Sequence, residues 1–118
     1  MKKVIIYQVF TRLFGNRNQT RKEGGTIEEN GSGKMRDFDR EVLRRIKALG
    51  VTHVWYTGII RHATTTDYSA FGIPCQHPAI VKGRAGSPYA ITDYCDIDPD
   101  IADDVDNRMA EFEALVER

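Results

Sequence analysis

The chain has 118 residues, 17 basic and 17 acidic, and no formal net charge, so it offers no bulk attraction to nucleic acid or to an anionic membrane. A hydrophobic fraction of 41% with 29% charged residues excludes wholesale disorder and fibrous classes, and fits one globular domain over residues 1–118. No apolar run approaches the roughly 20 residues of a membrane span, and the stretch after Met1-Lys2-Lys3 breaks at Gln8 and Arg12 without a cleavage site, so a mature cytoplasmic protein is expected.

Residues 4–10 (VIIYQVF) form an almost unbroken apolar, β-branched run, which predicts a first strand covered on both faces, as in parallel sheets. Phe38, Val42, Ile46 and Leu49 then recur at helical spacing with Lys and Arg between them, predicting a helix over 37–49. Asp37 is the expected N-cap and Gly50 the residue after the C-terminus. Residues 51–57 (VTHVWYT) read as a second buried strand. Strand, helix and strand make a βαβ unit, hence parallel strands in an α/β fold. A short extended segment is expected over 89–94. Val105, Met109, Phe112 and Val116 mark a second helix over 105–117, capped by Asp104 or Asp106.

The helix-to-strand turn is essentially Gly50 alone, whereas roughly 26 residues separate the first strand from its helix and more than 40 follow the second. Loops of that length are uncommon unless they carry function. All of them lie on the carboxyl side of the strands, where α/β enzymes build their sites.

The short motifs of the chain exclude more than they assign. Gly31-Ser32-Gly33-Lys34 resembles the tail of a phosphate loop, but Glu28 stands where the pattern needs glycine and Met35 where it needs Ser or Thr. The acids Asp93, Asp96, Asp98, Asp100, Asp103, Asp104 and Asp106 mimic the start of a calcium loop. Pro99 interrupts that loop, and Ile101 and Asn107 replace its required Gly and Glu. Solvated turn and helix-start acids are the better account, with Asp96 and Asp98 a minor candidate for an acid/base pair. His53, His62 and His77 match no metal-ligand spacing, so no metal site is assigned. His53 is read as a hydrogen-bonded core residue, and His62 and His77 as loop residues. Cys75 and Cys95 read as two reduced thiols rather than a bridge.

Three segments in order resemble the opening of the α-amylase family of glycoside hydrolases, family thirteen. Tyr7-Gln8-Val9-Phe10 through Phe14 is similar to the family's first barrel strand. Leu49-Gly50-Val51-Thr52-His53-Val54-Trp55 resembles its L-G-V-T-x-I-W stretch, and Tyr89 to Pro99 (YAITDYCDIDP) its G-Y-D-V-T-D-Y-x-x-I-D-P segment. Residues 15–36 and 61–86 have no counterpart in these motifs. The resemblance implies the N-terminal βα units of a (β/α)8 TIM barrel that cleaves or transfers α-glucosidic linkages of starch-like glucans with retention. It assigns Tyr89 as the sugar-stacking, substrate-binding tyrosine and Asp93 as a loop-ordering acid. Ala90 departs from the Asp that grips a terminal sugar in exo-acting relatives, and so leans towards polymer-acting ones.

The family's nucleophile, acid/base and D-x-x-x-N-H motif are absent from the sequence, so no catalytic residue is assigned and the chain alone is expected to be inactive. A complete barrel takes about 250 residues, so the resemblance implies an incomplete barrel, an N-terminal fragment. The implied partner is an α-glucan or maltooligosaccharide; no cofactor is expected in this chain, and calcium only in a full-length protein. Residues 1–60 carry 12 basic and 6 acidic side chains, and residues 61–118 carry 5 and 11. These +6 and −6 halves, with an uncovered parallel edge, predict self-association. The alternative is a stand-alone small α/β binding or interaction module without catalysis.

Overall fold

The computed structural model describes residues 2–118. Strand β1 (Ile6–Phe10) runs into a single turn of helix, α1 (Thr11–Phe14), and a second short turn, α2 (Ile27–Asn30), follows. Helix α3 (Arg40–Ala48) leads to strand β2 (His53–Thr57), and α4 (Arg108–Glu117) ends the chain. β1 and β2 pair in parallel, with Ile6 opposite His53 and Phe10 opposite Thr57. The expected βαβ unit is therefore present, in an α/β arrangement with a two-stranded sheet.

The ends of the elements differ from the sequence expectation for local reasons. Val4, Ile5, Val51 and Thr52 lie outside the strands, although Thr52 still donates its amide to Ile5 O at 2.9 Å. Asp39 caps α3, accepting from Val42 N at 2.9 Å, because Asp37 is committed to a preceding 3-10 turn and accepts from Lys34 N at 2.7 Å. Gly50 takes φ 86° after α3, as the C-terminal position requires. Residues 105–107 form a 3-10 turn capped by Asp104 before α4 begins at Arg108. Residues 89–94 form no strand; Ile91 makes only an isolated antiparallel bridge to His62.

Side chains alternate across a strand, and here one face is covered and the other is not. Tyr7, Val9, Val54 and Tyr56 face the core, where Met35, Phe38, Ile97, Ile101, Ala102 and Leu115 are buried. Phe38 stands at its centre, stacked on Phe14 at 4.7 Å and edge-on to Tyr56 at 5.0 Å. On the opposite face Ile6 is 59% and Trp55 50% exposed. The expectation of strands covered on both faces is thus met on one face only, because no described element packs on the other. α4 also turns a different face inward: Phe112 and Leu115 join the core while Met109 and Val116 stay exposed. Its rotation is set by polar anchors, Arg108 paired with Asp96 and Glu111 accepting the amides of Asp103 and Asp104.

The whole is open for its size. Its radius of gyration is 15.0 Å, against about 13.5 Å for a compact domain of this length. Its accessible surface is 7985 Å², about 1,500 Å² more than the area expected of a folded monomer of this mass.

Candidate functional site

The strand ends carry an irregular layer built from residues 58–104, and arginine–carboxylate pairs hold it. Asp96 accepts from Arg108 Nε and Nη2, both at 2.9 Å, and from Arg61 Nη1 at 2.9 Å. Burial alone would raise the Asp96 pKa; the Arg108 hydrogen bonds and the two guanidinium charges outweigh it and hold the carboxyl below its ordinary range. Asp96 is therefore a structural clamp. Asp93 orders the preceding turn, accepting from Cys95 N at 2.8 Å, and lies 3.5 Å from Arg61 Nη2.

Asp98 is separated from Asp96 in role as well as in surroundings, so the two do not form an acid/base pair. Asp98 is fully buried, caps the 3-10 turn at Pro99–Ile101 and accepts from Asp100 N at 2.9 Å and His62 N at 3.2 Å. Burial and the neighbouring Asp100 carboxylate push its pKa up. His62, read from sequence as a loop residue, is buried, with Nδ1 3.0 Å from Ile60 O and 3.1 Å from Asp98 Oδ2. Burial lowers the His62 pKa, disfavouring the charged imidazolium beside Asp98. Tyr68 donates its hydroxyl to Asp100 Oδ1 at 2.5 Å; burial first, then the Asp100 charge, raise the phenol. Sequence spacing carries no signal for this buried His62–Asp98–Asp100–Tyr68 group, because its members meet only in the fold.

The other singled-out residues serve the scaffold. Lys34 Nζ donates to the carbonyls of Asp100 at 2.7 Å and Ala102 at 3.2 Å. Gly33 packs its backbone against α1, donating to Arg12 O, where a side chain would collide with the Thr11 carbonyl. That contact accounts for the glycine without a phosphate. His53, expected in the core, is exposed at the start of β2 with Nδ1 2.8 Å from Thr52 Oγ1. His77 is exposed and accepts from Ala79 N at 3.1 Å. Cys75 and Cys95 are both free and exposed. Among the described residues, no group of three or more His, Cys, Asp or Glu side chains could hold a metal ion, and no helix is long and apolar enough to cross a membrane.

Tyr89 lies on the loop above the carboxyl ends of the strands, 66% exposed. Gln8 of β1 donates Nε2 to Thr57 Oγ1 at 2.8 Å and reaches Tyr89 Oη at 3.5 Å. The ring thus stands next to the uncovered face, with its hydroxyl directed at the strand and most of its surface open. The arrangement offers an aromatic platform and a polar fringe of Gln8 and Thr57, with no nucleophile beside it. No protein-family model matches this chain, and neither a curated protein nor a solved structure shows significant similarity to it.

Proposed function

We propose that this chain is the opening part of a retaining α-glycoside hydrolase of the α-amylase type, contributing the first two strands of a (β/α)8 barrel and the sugar-stacking Tyr89. One observation carries the reading: the tyrosine of the third resemblance segment meets the glutamine of the first, Tyr89 Oη lying 3.5 Å from Gln8 Nε2 of β1, which pairs in parallel with β2. The bare face bearing Ile6, Gln8 and Trp55 is then the barrel-facing side, and the excess surface is what further strands would cover. The substrate is a starch-like glucan or maltooligosaccharide, acted on in the cytoplasm. The catalytic carboxylates belong to barrel strands that this sequence does not contain, as would any calcium ligands.

The test is binding without turnover. Maltotriose should bind weakly, and Tyr89→Ala should weaken it at least tenfold, since stacking on an exposed ring is the main contact. A blocked maltooligosaccharide should remain uncleaved. Equal affinity in Tyr89→Ala, or turnover by the chain alone, would contradict the reading.

The closed packing around Phe38 supports a second reading, a small α/β binding module without catalysis that folds by itself. Both readings include self-association through the bare face and the oppositely charged halves.

A further inference from the structure

A second concavity lies apart from Tyr89. The segment after β1 and two strips of the segment after β2 enclose a cleft of about 680 Å³, within the range of small-molecule sites. Its walls are residues 12–32 on one side and residues 65–67 with 84–85 on the other, mostly from the segments outside the three resemblance motifs. Two clasps hold the walls together: Arg84 Nε donates to Gly24 O, and Arg12 Nη1 to Gly86 O at 3.4 Å. Asp100, 3% exposed, also lines the cleft. Its side chain accepts from Tyr68, its amide donates to Asp98 and its carbonyl accepts from Lys34, so that part of the lining is fixed in place.

We infer that this cleft is a binding site for a neutral, polyhydroxylated ligand of the sugar class. The first reason is backbone strain. Arg21 is the one non-glycine residue at positive φ among the described residues, at 50°, and it stands in the cleft wall. A guanidinium-bearing residue held there costs energy that a turn glycine would avoid, and such outliers gather at ligand sites. The Arg21 side chain also makes no ion pair among the described residues. The second reason is charge balance. Arg12, Arg21 and Arg84 face the same space as Glu28, Asp67 and Asp100, so the site favours neither an anion nor a cation. Guanidinium donors, carboxylate acceptors and the amide and hydroxyl groups of Asn16, Asn18, Gln19, Thr65 and Thr66 in the same lining instead match a ligand carrying many hydroxyls, each able to give and accept a hydrogen bond.

The choice of an α-glucan as ligand rests on the functional reading above; the site itself rests on the cleft. Residue-resolved NMR of the full chain titrated with maltotriose separates the two, with inorganic phosphate as the charge control. Saturable shifts should appear at Arg21, Thr66 and Asp100, distinct from those at Tyr89. Arg21→Gly relieves the backbone strain and so does not threaten folding; it should weaken the cleft response at least fivefold and leave the Tyr89 response unchanged. Tyr89→Ala should do the reverse. Shifts confined to Tyr89 and its neighbours would overturn the cleft site while sparing the functional reading. Shifts confined to the cleft would uphold the site and contradict the reading. Phosphate moving the cleft resonances at lower concentration than maltotriose would overturn the ligand class, and no shift anywhere would overturn both.

Discussion

The two faces of one short sheet are made from neighbouring residues and meet opposite fates. Tyr7, Val9, Val54 and Tyr56 pack on a core centred on Phe38, while Ile6, Gln8, His53 and Trp55 on the other side are exposed. Two of the four side chains on the bare face, Ile6 and Trp55, are large and apolar, and leaving them about half exposed withholds roughly 1 kcal/mol or more of possible burial from each. The difference teaches that one sheet of two strands can hold a finished interior on one side and an open face on the other.

Removing the centre of the finished side should have the largest effect. Phe38→Ala deletes the ring that joins Phe14 to Tyr56 and should cost about 3–5 kcal/mol of unfolding free energy, measured by urea denaturation; a loss below about 1 kcal/mol would mean the covered side is not the true core. Next comes the clamp between the strand-end layer and α4. Asp96→Ala leaves Arg61 and Arg108 facing each other, both mostly buried, and should cost about 3 kcal/mol. Asp96→Asn should recover only part of it.

The buried acid gives a smaller, pH-dependent effect. Asp98 has a raised pKa in the folded chain, so between its unfolded value and the raised one the folded state holds more protons. Stability should therefore fall as pH rises through that window. His62, with a lowered pKa, works the other way: the unfolded chain binds its proton first, so stability falls as pH drops below about 6.5. Opposed, the two offset each other where their windows overlap, so the Asp98 decline should show most clearly above about pH 6.5, where His62 no longer titrates. Asp98→Asn keeps a capping oxygen and removes the acid's share, so thermal midpoints measured from pH 4 to 8 should lose their decline on the alkaline side. An unchanged profile would place the titration elsewhere.

The smallest effect on folding belongs to the bare face. Trp55→Ser should change stability within about 0.5 kcal/mol, as surface substitutions do, yet should abolish concentration-dependent association. A large destabilisation would mean that Trp55 belongs to the core after all, and the contrast between the faces would collapse.

The parts of this arrangement visible in the sequence are those governed by periodicity and local chemistry. The β-branched run, the stripe through Val42 and Ile46 and the single Gly50 turn specify β1, α3 and β2 within a few residues, and Asp93 orders its turn by accepting from Cys95 N. Periodicity fails where tertiary polar contacts decide. α4 faces inward through Phe112 and Leu115, rather than through Met109 and Val116, because Arg108 and Glu111 fix its rotation. His62 is buried because Asp98, 36 residues away, accepts its amide. The cleft is invisible in sequence, since its walls come from two segments that share no pattern. Coverage of both strand faces, the natural inference from an unbroken apolar run, fails because no described element packs on the face bearing Ile6, Gln8 and Trp55.

Trp55 is the only tryptophan in the chain and stands on the bare face, so its fluorescence reports that face alone. Emission should begin at the long wavelength of a water-exposed indole in dilute protein and shift to shorter wavelength as concentration rises, in step with an increase in mass by light scattering. A long-wavelength spectrum unchanged up to millimolar protein, with a sharp monomer mass, would show that the open face needs no cover and would contradict the account.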